Sequence, residues 1–210
     1  MAGGLSLAEA HRDDLDAMKP LFFLAFHDET FYRELISDTP QARDAFRRAT
    51  ELAMNDPYTK VLKVTENGSD VIVAMGRWIA PRAEDSETQP GTNPGRWGDF
   101  PRYCNMQLAS ALFGSFARKR QEMMGSRKHY YMELLVTAEG NKGRGAGTMI
   151  LQYGCSLADQ EKVECYIDSS PAGKPLYEKF GWVFTREEVM PRFEELQYKQ
   201  HFGIRQPVEQ

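Results

Sequence analysis

The chain has 210 residues, 41% of them hydrophobic and 27% charged, an ordinary globular composition that excludes a disordered, collagen-like or coiled-coil polypeptide. A formal net charge of −4 leaves no overall basic field for general nucleic-acid binding, and no window approaches the run of about 20 apolar residues that spans a bilayer. Cys104, Cys155 and Cys165 include no close-spaced pair, and the four histidines are scattered, which excludes a zinc-finger pattern and reads as reduced thiols. With an N-terminus that lacks a basic segment followed by an apolar one, the expectation is a single domain over residues 1–210. It is expected to be cytoplasmic, with no metal, nucleic-acid or membrane partner.

In chain order, Leu15, Met18, Leu21, Phe22 and Phe26 recur at three-to-four spacing and predict an amphipathic helix. Pro20 should kink or restart it, because proline lacks the amide donor and crowds the preceding turn. A second helix is expected through Ala42, Phe46 and Leu52. Residues 61–80 read as two strands around a tight Asn67-Gly68 turn. The stretch 81–100 concentrates Pro, Gly and acidic residues and reads as a long mobile loop. Helical character returns over 103–125, and 130–137 is a strand rich in aromatic and β-branched residues. A helix over 146–159 puts Met149, Ile150, Tyr153 and Leu157 on one face, and 163–168 is a further strand. Strand, glycine loop, helix and strand together predict a right-handed βαβ crossover. A short helix ending at Gly181 and strand-like segments through Val183 and Tyr198 complete the chain.

The strongest local signal is Gly143-x-Gly145-x-Gly147 at the strand-to-helix junction. Glycines let the backbone approach a ligand, and the free amides and positive dipole end of a helix's first turn suit a phosphate. No Ser, Asp or Asn occupies the cap position before Ala146, so those amides remain open to something else. A tight turn alone would explain the glycines equally well. Two nucleotide motifs fail: Thr148 stands where a Walker loop needs the lysine of Gly-Lys-Ser/Thr, and also where a dinucleotide fingerprint needs a third small residue.

Residues 132–182, MELLVTAEGNKGRGAGTMILQYGCSLADQEKVECYIDSSPAGKPLYEKFGW, resemble the GNAT acetyltransferases. The resemblance rests on that superfamily's Gln/Arg-x-x-Gly-x-Gly/Ala motif at Lys142 to Gly147 and on the later helix Pro175 to Gly181. The hairpin ending in Gly76-Arg77-Trp78 fits more loosely, and Lys142 stands where Gln or Arg is usual. It implies an α/β (α+β) fold with a central mixed sheet, flanking helices and a splayed strand pair, in which the strand from Tyr130 to Thr137 leaves its parallel neighbour at a bulge. It further implies that backbone groups of Leu135, Val136 and Thr137 pair with the pantetheine of acetyl-CoA. Lys142, Gly143, Arg144, Gly145, Ala146, Gly147 and Thr148 would take the pyrophosphate, and Ser170 and Tyr177 would join the cofactor site. Acetyl-CoA is then a co-substrate, and no metal is implied.

Acetyl transfer to nitrogen requires the amine to lose a proton and the departing thiolate to gain one. Glu133, sharing a strand face with Tyr131 and Leu135, is the candidate base, and Tyr177 the candidate acid toward the thiolate. The alternatives are a carboxylate paired to an arginine for Glu133 and core packing for Tyr177. Asp28 or Glu29, Phe31, Tyr32 and Trp78 are candidates for touching substrate. The run Arg118-Lys119-Arg120 with Arg127 and Lys128 reads as a solvated face or a set of phosphate contacts. The expected activity is direct acetyl transfer from acetyl-CoA to a primary amine, of a small molecule before a protein or peptide. The rival of another class is a non-catalytic acyl-CoA-binding regulatory domain.

Overall fold

The computed structural model describes residues 4–82, 97–190 and 198–209. After β1 (Leu5–Glu9) come α1 (Leu15–Ala25), α2 (Thr30–Leu35) and α3 (Pro40–Met54). The hairpin strands β2 (Thr59–Glu66) and β3 (Ile72–Ile79) lead to α4 (Met106–Met124) and β4 (His129–Thr137). The chain closes with α5 (Ala146–Glu161), β5 (Glu164–Ser169), α6 (Lys174–Glu178), β6 (Trp182–Val189) and β7 (Lys199–Arg205). The strands form one seven-stranded mixed sheet in the order β1-β2-β3-β4-β5-β7-β6, and the one parallel pair in it is β4 with β5.

Local chemistry accounts for most element ends. Thr39 accepts from the Ala42 amide at 3.1 Å and Pro40 follows it, a good start for α3. Asn105 caps α4 by accepting from the Gln107 and Leu108 amides, and Gly125 ends it. Pro20 does not break α1, which runs through it with Leu15 and Met18 before it and Leu21, Phe22 and Phe23 after it all buried. Core packing on both sides of the proline thus outweighs the one lost hydrogen bond. The helix expected through Ala42, Phe46 and Leu52 is α3, in which Leu52 is exposed and Ala45, Phe46, Ala49 and Ala53 are buried. In the β2–β3 hairpin Gly68 takes a positive φ of 76°, although five residues rather than two connect the strands. Most of the expected 81–100 loop, residues 83–96, lies outside the described residues; beyond it, Trp97 and Phe100 are buried core residues, packed against one another.

Two cores sandwich the sheet. On one face α5 packs Ile150, Leu151 and Cys155 against Leu62, Val64, Trp78 and Ile167. Gly76 and Gly154 permit that closeness, since a Cβ at Gly76 would lie 2.4 Å from Ile150 and one at Gly154 2.2 Å from the Trp78 ring. On the other face α1, α3 and α4 bury Phe22, Phe46, Leu108 and Leu112 with Met75, Leu134 and Val136. All three cysteines are free and buried. No helix among the described residues is long and apolar enough to cross a membrane.

Candidate active site

The site arises where the parallel pair parts. β4 and β5 pair only from His129↔Glu164 to Met132↔Ile167. Beyond that point β4 stays with β3 out to Thr137↔Ala74, while β5 stays with β7 to Ser169↔His201. Among the described residues the backbone of β4 from Glu133 onward is therefore unpaired on its β5 side. A cavity of about 260 Å³ fills this wedge, with Met132 to Thr137 on one wall, Asp168 and Ser170 on the other, and Tyr177, Phe26, Glu29 and Tyr32 closing it.

A bulge sits at the mouth of the wedge. Arg77 pairs with Leu134 but Trp78 pairs with Met132, so Glu133 is an extra residue in β4. It resets the alternation: Tyr130 and Met132 pack on the α5 side, whereas Leu134 and Val136 pack on the α1/α3 side. The expectation that Tyr131, Glu133 and Leu135 share one face fails for Leu135, which turns toward α5, and Leu134 does not point away from the Glu133 side.

Glu133 lines the cavity, but its carboxylate is committed. Oε2 accepts from Arg77 Nη1 at 3.1 Å, and the two side chains are only 2% and 1% exposed. Arg77 also donates to Thr50 Oγ1 at 3.3 Å and lies 4.6 Å from the centre of the Trp97 ring. The arginine-paired alternative for Glu133 is the one observed, and buried rather than exposed. A proton taken up by this carboxylate would dissolve a buried ion pair.

Tyr177 reaches the cavity from α6, its ring edge-on to Trp182 at 5.8 Å, and its hydroxyl has no hydrogen-bond partner among the described residues. Burial pushes its phenol well above the ordinary range, so it is protonated at neutral pH and fit to donate. Ser170 lines the opposite wall and accepts from the Gly173 amide.

The glycine loop meets the geometric demands of a phosphate cradle. Gly143 and Gly145 take φ of 78° and 93°, a Cβ on either would enter open space, and Gly145 caps α5 without any side-chain bond. Ala146 and Gly147 are buried beneath the loop and Thr148 is exposed. A Cβ at Gly147 would meet Leu176, Thr137 and Leu135 at 3.4–3.7 Å, which places the loop against the cavity wall. Lys142 lines the cavity while pairing with Glu139, and the Arg144 guanidinium is drawn off to Glu66 and Asn141. These residues fit acetyl-CoA: backbone amides and a dipole end face one way, and unpaired strand backbone lies beyond.

The substrate candidates separate. Tyr32 lines the cavity and stacks on Phe26 at 4.2 Å. Asp28 points to solvent, 86% exposed beside His27, and Glu29 takes the wall position instead. Phe31 is core, stacked on Tyr198 at 4.7 Å. Trp78 is also core, on the α5 face with Nε1 donating to the Ile150 carbonyl at 2.9 Å, because the Gly154 notch admits its ring there. The basic run lies toward the opposite end of β4 from the glycine loop. Arg118, Lys119 and Arg127 pair with Glu188, Glu122 and Glu164, and Arg120 is buried over the Tyr131 ring.

Sequence reasoning missed Asp168. Its two oxygens accept from Tyr131 at 2.6 Å and Tyr166 at 2.8 Å, and it stands one residue past the last β4–β5 pair. The available signal was its place at the carboxyl end of a strand in a βαβ unit, where open α/β sheets put their ligands.

A model of the acetyltransferase (GNAT) domain matches residues 106–193, the segment from α4 past β6 that contains the wedge and the glycine loop. Residues 106–193 of the chain carry a GNAT acetyltransferase domain. It is an acetyl-CoA-dependent acetyltransferase. Compared by sequence with curated proteins, the chain matches none. Solved structures share its fold along the whole length. One, described as histone acetyltransferase HPA2 and related acetyltransferase from Corynebacterium glutamicum, is 17% identical with a TM-score of 0.60, covering 98% of both chains. A mosquito arylalkylamine N-acetyltransferase-like 5b is 13% identical with a TM-score of 0.62, over 97% of this chain and 100% of that one. The C-terminal condensation domain of Ebony, in complex with β-alanyl-dopamine, is 9% identical with a TM-score of 0.69, over 97% and 99%. At these identities the likeness concerns the fold alone. Among the described residues no group of three His, Cys, Asp or Glu side chains is placed to hold a metal ion.

Proposed function

We propose that this chain acetylates the primary amine of a small molecule by direct transfer from acetyl-CoA within the β4–β5 wedge. One observation carries the reading: the unpaired strand edge, three carboxylates and a protonated phenol converge on one cavity. An adjoining hollow of about 230 Å³ is walled by Phe22, Phe23 and Ile36 and shares Phe26 and Tyr32 with the first. Paired hollows of this size and apolarity suit a compact organic amine better than an extended peptide.

Acetyl-CoA supplies the activated acyl group. In the proposed reaction the amides of Gly143 and of Gly145 to Thr148 bind its pyrophosphate, and backbone groups of Leu135 to Thr137 hold its pantetheine. A cavity carboxylate takes a proton from the acceptor's ammonium, freeing the nitrogen lone pair. Tyr177 then gives its hydroxyl proton to the departing sulfur and regains one from the new amide nitrogen, so that one proton is released to solvent overall. Cytoplasmic placement and the absence of a nucleic-acid or membrane partner belong to the same proposal.

The test is thiol release from acetyl-CoA with the purified protein, across a panel of primary amines and a Lys-rich peptide. Turnover of small amines with little of the peptide is expected. Turnover of the peptide alone would replace the small-molecule acceptor with a protein one. Tyr177→Phe should lower kcat by about 10²-fold or more, within the range of a lost general acid.

A further inference from the structure

Of the three carboxylates in the cavity, two already serve partners inside the protein. Glu133 is paired with Arg77, and Asp168 accepts one phenol on each oxygen. Glu29 differs. It sits in the bend between α1 and α2, its amide donating to the Phe26 carbonyl at 3.1 Å and its carbonyl accepting from the Arg33 amide at 3.1 Å. That backbone clamp turns its side chain inward while its neighbour Asp28 points out. Oε2 accepts from the Tyr198 hydroxyl at 3.0 Å, which leaves Oε1 without a hydrogen bond among the described residues.

We propose that Glu29 anchors the acceptor's ammonium and takes its first proton, and that the acceptor is a primary amine carrying a compact apolar or aromatic body. The inference rests on the acetyl-transfer reading above. The body of such an amine has a matching wall beside Glu29 in the stacked Phe26–Tyr32 pair and Phe116, with the second hollow beyond. In the step, an N–H bond of the ammonium breaks and an Oε1–H bond forms. Glu29 later returns that proton to solvent, and the freed nitrogen attacks the thioester carbon.

Burial raises the proton affinity of Glu29, opposed by the Tyr198 hydrogen bond and by Lys142 across the cavity, which suits a base working near neutrality. The other groups facing the cavity are Tyr32, Tyr177, Glu133 and Asp168. Burial keeps the two phenols protonated, so neither competes for the proton.

The experiment compares wild type, Glu29→Gln and Tyr198→Phe with 2-phenylethylamine and hexylamine as acceptors. It follows kcat/KM against pH, and calorimetric binding of acetyl-CoA and of 2-phenylethylamine. Glu29→Gln should lower kcat/KM by about 10²–10⁴, weaken 2-phenylethylamine binding, leave acetyl-CoA binding unchanged and erase the acid limb of the profile. Tyr198→Phe removes a donor to the carboxylate, so that limb should move to higher pH. If Glu29→Gln stays within about threefold of wild type with the same limb, Glu29 is not the proton acceptor. If wild type binds acetyl-CoA but turns over neither amine, the stated acceptor class is wrong. If acetyl-CoA is not bound at all, the acetyl-transfer reading itself fails, and this proposal falls with it.

Discussion

Replacing Glu133 with leucine separates its structural role from a catalytic one. The substitution leaves the Arg77 guanidinium, 1% exposed, with its carboxylate partner gone in a site walled by Thr50 and Trp97. Breaking a buried ion pair from one side costs about 3–5 kcal/mol, chiefly through the uncompensated charge left behind. For a chain of this size that corresponds to a fall in Tm of about 6–20 °C. Arg77→Met alone should cost a similar amount. The double variant Arg77→Met/Glu133→Leu should cost less than either single, because two apolar side chains can replace the pair without a stranded charge. Denaturant unfolding of the four proteins gives the coupling energy directly. Additive effects, or single variants each costing less than about 1 kcal/mol, would refute the view that the two side chains act as one buried ion pair.

Three further outcomes follow from other parts of the molecule. Gly145→Ala forces a side chain onto a φ of 93°, at about 1–3 kcal/mol of strain, and points a methyl into the proposed pyrophosphate space; calorimetry should show acetyl-CoA binding weakened at least about tenfold. Wild-type affinity would remove the loop from the donor site. His129 is buried, and burial lowers its pKa to about 4 from the ordinary 6.5. The unfolded chain protonates this side chain before the folded one does, so stability is full above pH 6.5 and declines by up to about 3 kcal/mol as pH falls toward 4. His129→Phe should flatten that window in a pH series of urea midpoints. Gly154→Ala places a methyl 2.2–2.6 Å from a Trp78 ring that is tethered to the Ile150 carbonyl, and should cost about 1–3 kcal/mol or more by overpacking, read as a lower urea midpoint.

Periodicity and glycine placement carried much of the architecture. The helix after the glycine loop, its flanking strands and the terminators Gly125 and Gly181 all lie where the sequence pattern puts them, because each depends on local conformation. What was illegible depended on partners distant in sequence. Strand β1 is only five residues long with just Leu5 and Leu7 turned inward, and its reason for being extended is the neighbouring β2. Glu133 could be put on the right strand, but not with the right company, since strict alternation fails at a bulge. Trp78 looked like a pocket aromatic until the Gly154 notch, 76 residues later in the chain, gave it a place in the core. Glu29 and Asp28 are adjacent and chemically alike; only the turn between α1 and α2 decides which faces the cavity.

The most direct test of the central claim is a structure of the chain bound to a bisubstrate analogue, with the sulfur of coenzyme A joined through an acetyl linker to 2-phenylethylamine. The account predicts the pyrophosphate on the amides of Gly143 and of Gly145 to Thr148, the linker between β4 and β5, and the amine nitrogen facing Glu29. An analogue bound outside the wedge, or one not bound at all, would contradict it.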